Sequence, residues 1–273
     1  MPKASSPRPQ ADHRPRVRRG YFECRYGQLH VHNSIPSGGG FEEGTPLLCL
    51  HASPLSGRAF RRFLPVAGAG RSIFAPDLPG FGDSDPPAAR AGVAEHAAAI
   101  GDFLDTMRLR QIDLLGHRFG ALVAIELAAT RPTQVRRLVL VSPPLAADAA
   151  EPMPPPPVAD GGHLSEEWRR ALAHCGPGAA PEAVSALVAE RLRNHAAAAA
   201  AAAAEREFRV QPRLAQIAMP LLVVRVSDDA GAYRGEAREV PARARLVELP
   251  QQGRSLFETA PEAAAQALEA FLR

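Results

Sequence analysis

Gly116-His117-Arg118-Phe119-Gly120 joins an apolar run, Ile112–Leu115, to the helix-patterned stretch Phe119–Thr130. The order strand, glycine, any residue, X, any residue, glycine, helix describes a corner sharp enough to hold X at its tip. Nucleophilic catalysis at such a tip needs an oxygen or sulfur at X and a base that takes its proton. Here X is Arg118. A guanidinium stays protonated, with a pKa above about 12, and offers no lone pair. Arg118 can hold negative charge; it cannot begin a covalent attack.

The corner needs a frame. Tyr21–Arg25 and Gln28–His32 read as two short strands about the turn pair Tyr26-Gly27. Pro46–Leu50, Ser72–Pro76, Ile112–Leu115, Leu138–Val141, Leu221–Val226 and Leu246–Leu249 are short, mainly apolar runs. Helical patterns fall on Ala94–Leu109, Phe119–Thr130 and Pro261–Leu272. Mainly apolar strands alternating with helices predict a mostly parallel, doubly wound α/β sheet covered on both faces.

Between Ser142 and Gln211 the pattern changes. "EPMPPPPVADGG" excludes helix and central strand, because proline lacks the N–H and clashes. Beyond it, Leu164, Trp168 and Leu172 share a helical face expected to be core or pocket lining. A longer helix from Pro181 places Val184, Leu187, Val188 and Leu192 on one stripe and flows into the alanine run Ala196–Ala204. Residues 146–215 are therefore expected to form an inserted helical cap between two core segments, 20–145 and 216–273.

Residues 1–19 carry Lys3, Arg8, Arg14, Arg16, Arg18 and Arg19 against the single acid Asp12, and are expected to be a disordered basic tail. The remaining body is near neutral, so no nucleic-acid partner is expected. No apolar run reaches the about 18 residues of a membrane span, and no apolar stretch follows the N-terminal arginines as in a secretory signal. Cys24, Cys49 and Cys175 are widely spaced and odd in number, which argues against a disulfide framework or a zinc site. His163, His174 and His195 lack ligand spacing, so no metal is expected. A cytoplasmic monomer or homodimer is the expectation.

Six segments, in order, resemble the α/β-hydrolase superfamily, within it the group with a helical lid after the sixth strand. The resemblance runs over about residues 20–273. "LLCLHASPLSGRAF" resembles the oxyanion-loop strand, usually His-Gly-x-Pro and here His51-Ala52-Ser53-Pro54. "APDLPGFGDSD" is similar to the stretch Asp-x-x-Gly-x-Gly-x-Ser, at Asp77, Gly80, Gly82 and Ser84. "LLGHRFGAL" falls at the nucleophile elbow, "RRLVLVSPP" at the next strand, and "MPLLVVRVSDD" at the strand ending in the catalytic acid. "LPQQGRSLFETAPEAAAQALEAFL" is similar to the stretch that carries Gly-His before the final helix.

The resemblance implies an oxyanion hole from the backbone N–H groups of Ser53 and Phe119. It puts Arg118 at the nucleophile, Arg254 at the histidine, and Asp229 at the acid, with Asp228 one residue away. Val226 replaces the acid motif's usual glycine. If the family geometry holds, Asp229 lies beside Arg254 as a bidentate partner. His51 and His117 flank the site, as structural groups or stand-in bases, and Tyr233 lies a few residues beyond Asp229.

Losing such triad residues removes about six orders of magnitude from turnover, so ordinary serine hydrolysis is excluded. One reading is a cofactor-free, non-hydrolytic enzyme acting on a hydrophobic, anionic or enolisable small molecule. Cyclisation, conjugate addition, carbon–carbon bond formation or a lyase step in bacterial natural-product biosynthesis would suit it. Arg118, Arg254 and the backbone donors would then stabilise developing charge. The other reading is a catalytically dead pseudo-hydrolase that binds a ligand or a partner.

Overall fold

The computed structural model describes residues 15–36, 43–145, 153–175, 178–227, 240–250 and 255–273. A hairpin opens the sheet: β1 (Val17–Cys24) and β2 (Gly27–Ser34) pair antiparallel from Val17 opposite Ser34 to Cys24 opposite Gly27. From Arg19 onward β1 alternates exposed and half-buried positions, as suits a strand with one wet face. The central strands are β3 (Gly44–Leu50), β4 (Arg71–Pro76), β5 (Ile112–His117), β6 (Val135–Val141) and β7 (Leu221–Ser227), followed by β8 (Arg245–Pro250). Their order is β1-β2-β4-β3-β5-β6-β7-β8. β2 runs antiparallel to β4, and every later neighbour is parallel. This is the mostly parallel α/β sheet that the apolar runs predict.

Each face of the sheet carries its own core. On one face pack α2 (Val93–Thr106) and α3 (Phe119–Thr130), with Ile100, Phe103, Leu122 and Ile125 against Leu48, Leu114 and Leu138. Every residue of α3 from Phe119 to Ala128 is buried, so this helix is apolar all round rather than striped. On the other face α1 (Phe63–Ala67) and α9 (Pro261–Leu272) bring Phe63, Leu64, Leu268 and Leu272 onto Leu47, Leu115 and Val139.

Between β6 and β7 lie α4 (Gly162–Cys175), α5 (Pro181–Arg193), α6 (His195–Glu207) and α7 (Val210–Leu214). The alanine run forms α6, with Ala198, Ala201 and Ala204 buried at a spacing of three and Ala201 and Ala204 in the same core as α2 and α3. Small side chains let the helix approach closely. Glu167 and Arg191 form a buried ion pair between α4 and α5.

Three expectations change. β1 already begins at Val17, so Val17, Arg18 and Arg19 belong to the sheet rather than to a tail. Their backbones pair with Ser34, Asn33 and His32 while the Arg18 and Arg19 side chains stay exposed, and pairing needs no apolar side chain there. Residues 1–14 and 146–152 lie outside the described residues. Leu164, Trp168 and Leu172 are exposed rather than core, with Trp168 at 38%. On the α5 stripe Val184 is buried, whereas Leu187, Val188 and Leu192 are half-buried.

Candidate active site

The corner after β5 is built by close backbone contact. A Cβ on Gly116 would stand 2.4 Å from the Gly120 carbonyl oxygen, and one on Gly120 would stand 2.3 Å from that of Leu50. No side chain fits either place, which explains both glycines. Gly120 also lies against the His51 carbonyl, so the start of α3 touches the segment leaving β3. That contact brings together the two stretches carrying Ser53 and Phe119.

Arg118 stands at the tip with φ 50° and ψ −112°, a conformation that L side chains rarely adopt. Such a residue costs about 1–3 kcal/mol and persists only where its surroundings over-determine it. Its N–H donates to the Val141 carbonyl (3.0 Å), and its own carbonyl accepts from the Ala121 N–H (2.8 Å). The side chain is buried, at 6% exposure. Phe119 follows as the first residue of α3, where backbone N–H groups lack intrahelical acceptors and favour negative charge. Its ring meets His96 edge-on at 5.3 Å and lies 6.5 Å from Phe81.

Ser53 lines a shallow hollow of about 230 Å³, counted out into open solvent, together with Pro54, Met153, Pro154, Ala198, Ala202 and Glu205. The loop around it is held from the insertion. Asn194, buried between α5 and α6, donates from Nδ2 to the Pro54 carbonyl (3.0 Å) and accepts from the Gly82 N–H at Oδ1 (2.9 Å). Sequence reasoning passed over Asn194; its only signal was a polar residue between a helical stripe and an alanine run.

The two flanking histidines separate. His51 is fully buried, its Nε2 accepts from the Leu78 N–H (2.9 Å), and its Nδ1 donates to the Ala52 carbonyl (3.0 Å). Both ring nitrogens are engaged with backbone, and burial lowers its pKa, so His51 is a neutral structural brace rather than a stand-in base. His117 instead lines a cavity of about 620 Å³, counted out to its solvent mouth. Leu55, Arg58 and Ala59 form one wall, Ala183, Leu187 and Glu190 of α5 another, and Phe257 and Glu258 of α8 (Leu256–Thr259) a third. The His117 and Phe257 ring centroids are 5.5 Å apart. Cys175 and Ser255 also reach this cavity, and burial raises the Cys175 pKa despite a hydrogen bond with Ser255.

Glu258 is a carboxyl on the wall of this cavity. Burial raises its pKa against the opposing pull of Arg62, Arg61 and Arg58. Arg62 Nε lies 3.5 Å from Glu258 Oε1. Arg118 is not among the cavity's described lining residues. Asp228, Asp229, Tyr233 and Arg254 lie outside the described residues.

A profile of the alpha/beta hydrolase fold matches residues 45–198, more than half of the chain and including the whole corner from Gly116 to Gly120. The chain belongs to the α/β-hydrolase family. Among similar curated proteins, a haloalkane dehalogenase of Psychrobacter cryohalolentis is 34% identical over 102 residues, 36% of this chain and 34% of that protein. A 2-hydroxymuconate semialdehyde hydrolase of Pseudomonas sp. strain CF600 is 38% identical over 116 residues, 40% of this chain and 38% of its own length. The match thus spans little more than a third of either relative. The crystal structure of the enol-lactonase from Burkholderia xenovorans LB400 superposes with a TM-score of 0.75 at 16% identity, covering 93% of this chain and 99% of that one. At that identity it shows the fold alone. Among the described residues, no helix is long and apolar enough to cross a membrane.

Proposed function

We propose that this α/β-hydrolase-fold chain is a non-hydrolytic, cofactor-free enzyme acting on a hydrophobic small molecule that is anionic or enolisable. One observation carries the reading: a buried guanidinium occupies the strained elbow tip, where the family's chemistry would begin. Its named relatives are hydrolases, and a side chain without a lone pair cannot repeat nucleophilic attack. Arg118, with the backbone N–H groups of Ser53 and Phe119, is suited to hold an enolate or phenolate. Arg254 at the histidine position, braced by Asp229 or Asp228, would add a second cation, and Tyr233 and His117 are auxiliary candidates. A cyclisation, conjugate addition or lyase step in natural-product biosynthesis fits such a site, in a cytoplasmic monomer or homodimer.

A second reading, a pseudo-hydrolase that binds without converting, draws on a different observation. The larger cavity is walled by His117 and Phe257 rather than by Arg118, and its described walls are mainly apolar. Turnover separates the two. Incubation with candidate pathway metabolites, followed by mass spectrometry and chromatography, is expected to give an isomer of equal mass or an adduct or cleavage product, lost in Arg118→Ala. Tight binding with no conversion supports the second reading. Hydrolysis of activated esters at an ordinary esterase rate, or a covalent acyl-enzyme, overturns both.

A further inference from the structure

His30 and His32 are two residues apart on β2, so their side chains fall on the same face of the sheet. β4 pairs antiparallel with β2, Pro76 opposite Val31, and the ladder continues one step further as the Asp77 N–H donates to the His30 carbonyl (2.8 Å). This register delivers Asp77 to the two imidazoles. One nitrogen of each ring and one carboxylate oxygen lie within 4.8 Å of one another, and all three residues are at most 4% exposed. Among the described residues they are the one group of three such side chains so placed.

The protein accounts for two of the three. Asp77 Oδ1 accepts from the Gly57 N–H (2.7 Å); Oδ2 accepts from the Asp83 N–H (2.9 Å) and pairs with His30 Nδ1 (2.9 Å). His30 also donates its backbone N–H to Ser84 Oγ (2.9 Å). His32 Nδ1 is buried with no hydrogen-bond partner. A buried polar atom in that state has given up water without gaining a partner, which is unfavourable. Two imidazoles and a carboxylate are a ligand set suited to a divalent transition metal, with bonds of about 2.0–2.2 Å for zinc and a fourth position left for water.

We propose that His30, His32 and Asp77 form a zinc-type cation site behind the loop that carries Ser53. On binding, the proton that His30 Nδ1 shares with Asp77 Oδ2 leaves that nitrogen: a neutral ring carries it on Nε2 instead, and an imidazolium gives it up to solvent. The metal takes that place and bonds to a ring nitrogen of each histidine and to the carboxylate. The pair at 2.9 Å must open by a few tenths of an ångström, and the wider separations must close by about an ångström. Because Asp77 also holds the N–H of Gly57, an ion here would tie β2 to the turn that follows Ser53. Arg58 and Arg19 lie within electrostatic reach of His32 and would keep the affinity moderate.

The test uses the full chain, stripped with chelator and dialysed against Zn²⁺ alone, with bound metal counted by mass spectrometry. About one ion per chain is expected, bound at least about 10-fold more weakly in His32→Gln and unchanged in His163→Gln/His195→Gln. Replacing zinc by Co²⁺ gives a readout free of mutation: the intense visible bands of a four-coordinate nitrogen and oxygen site are expected. No bound zinc in the folded wild-type chain, undiminished binding in folded His32→Gln, or cobalt bands of six-coordinate type would each overturn the proposal.

Discussion

The two ends of β5 hold buried charge in opposite ways. At the N-terminal end, fully buried Asp113 accepts from Arg136 through both oxygens (Nε to Oδ1 2.8 Å, Nη2 to Oδ2 2.5 Å) and from Arg71 Nη1 (2.8 Å). Both arginines also donate to the Leu272 carbonyl, which fastens the end of α9 to the sheet. The backbone there is ordinary strand. At the C-terminal end Arg118 is buried on a strained backbone, between glycines that leave no room for a Cβ. The first end spends its charge on holding the fold. The second tolerates strain to place a cation at the carboxyl ends of the strands, where ligands of open α/β sheets bind.

The largest effect should come from breaking the first end. Asp113→Ala leaves Arg71 and Arg136, 16% and 28% exposed, facing a buried gap. Removing one partner of a buried pair costs about 3–5 kcal/mol, and partial access to water puts this case near the lower figure. Urea unfolding followed by circular dichroism measures it. A loss as small as that of an exposed ion pair would mean that the two ends do not differ in the way described.

Acid should act on the other end. His96 on α2 packs its ring on Phe81 and Phe119, and burial pushes its pKa down to about 4. The unfolded chain takes up this proton near pH 6.5, before the folded chain does. The contribution of His96 is therefore complete above pH 6.5 and falls by about 1.4 kcal/mol per unit as pH drops toward 4. Burial lowers the His32 pKa to about 4 as well, which adds a slope in the same window. His96→Phe should remove its own share and leave that of His32, which unfolding curves at several pH values would show; an unchanged slope removes His96 as a source.

Arg118 offers a smaller and more diagnostic contrast. At φ 50° a Cβ is a liability, so Arg118→Gly should be more stable than Arg118→Ala by about 1 kcal/mol, reversing the usual order. Both variants lose the guanidinium, so both should lose turnover or ligand binding together. Equal stability would show that the tip is unstrained in solution.

Much of this frame is legible in the chain because apolar runs and paired glycines answer to local sterics. Gly116 and Gly120 announce a corner, and β3 to β7 are nearly unbroken apolar stretches. α1, α7 and α8, at four or five residues, are too short to show a period. β1 begins inside an arginine-rich run because its pairing is made by backbone. His30 and His32 carry a readable same-face spacing, but Asp77 joins them only through the register of β4 on β2. His51 and His117 look alike in sequence; only the contacts of the folded chain make one a brace and the other a cavity wall.

The same lesson sets the smallest prediction. Leu164, Trp168 and Leu172 recur at a spacing of four and make one face of α4, which periodicity alone assigns to a core. Periodicity reports that a face exists and is silent on what covers it. Here the face is open, at 48%, 38% and 44% exposure. Truncating an exposed side chain changes stability by no more than about 0.5 kcal/mol, so Trp168→Ala should leave the urea midpoint nearly unchanged, in contrast to Asp113→Ala. A loss of about 2 kcal/mol or more would mean that this face is covered in solution. If that loss grew with protein concentration, the cover would be a second copy of the chain.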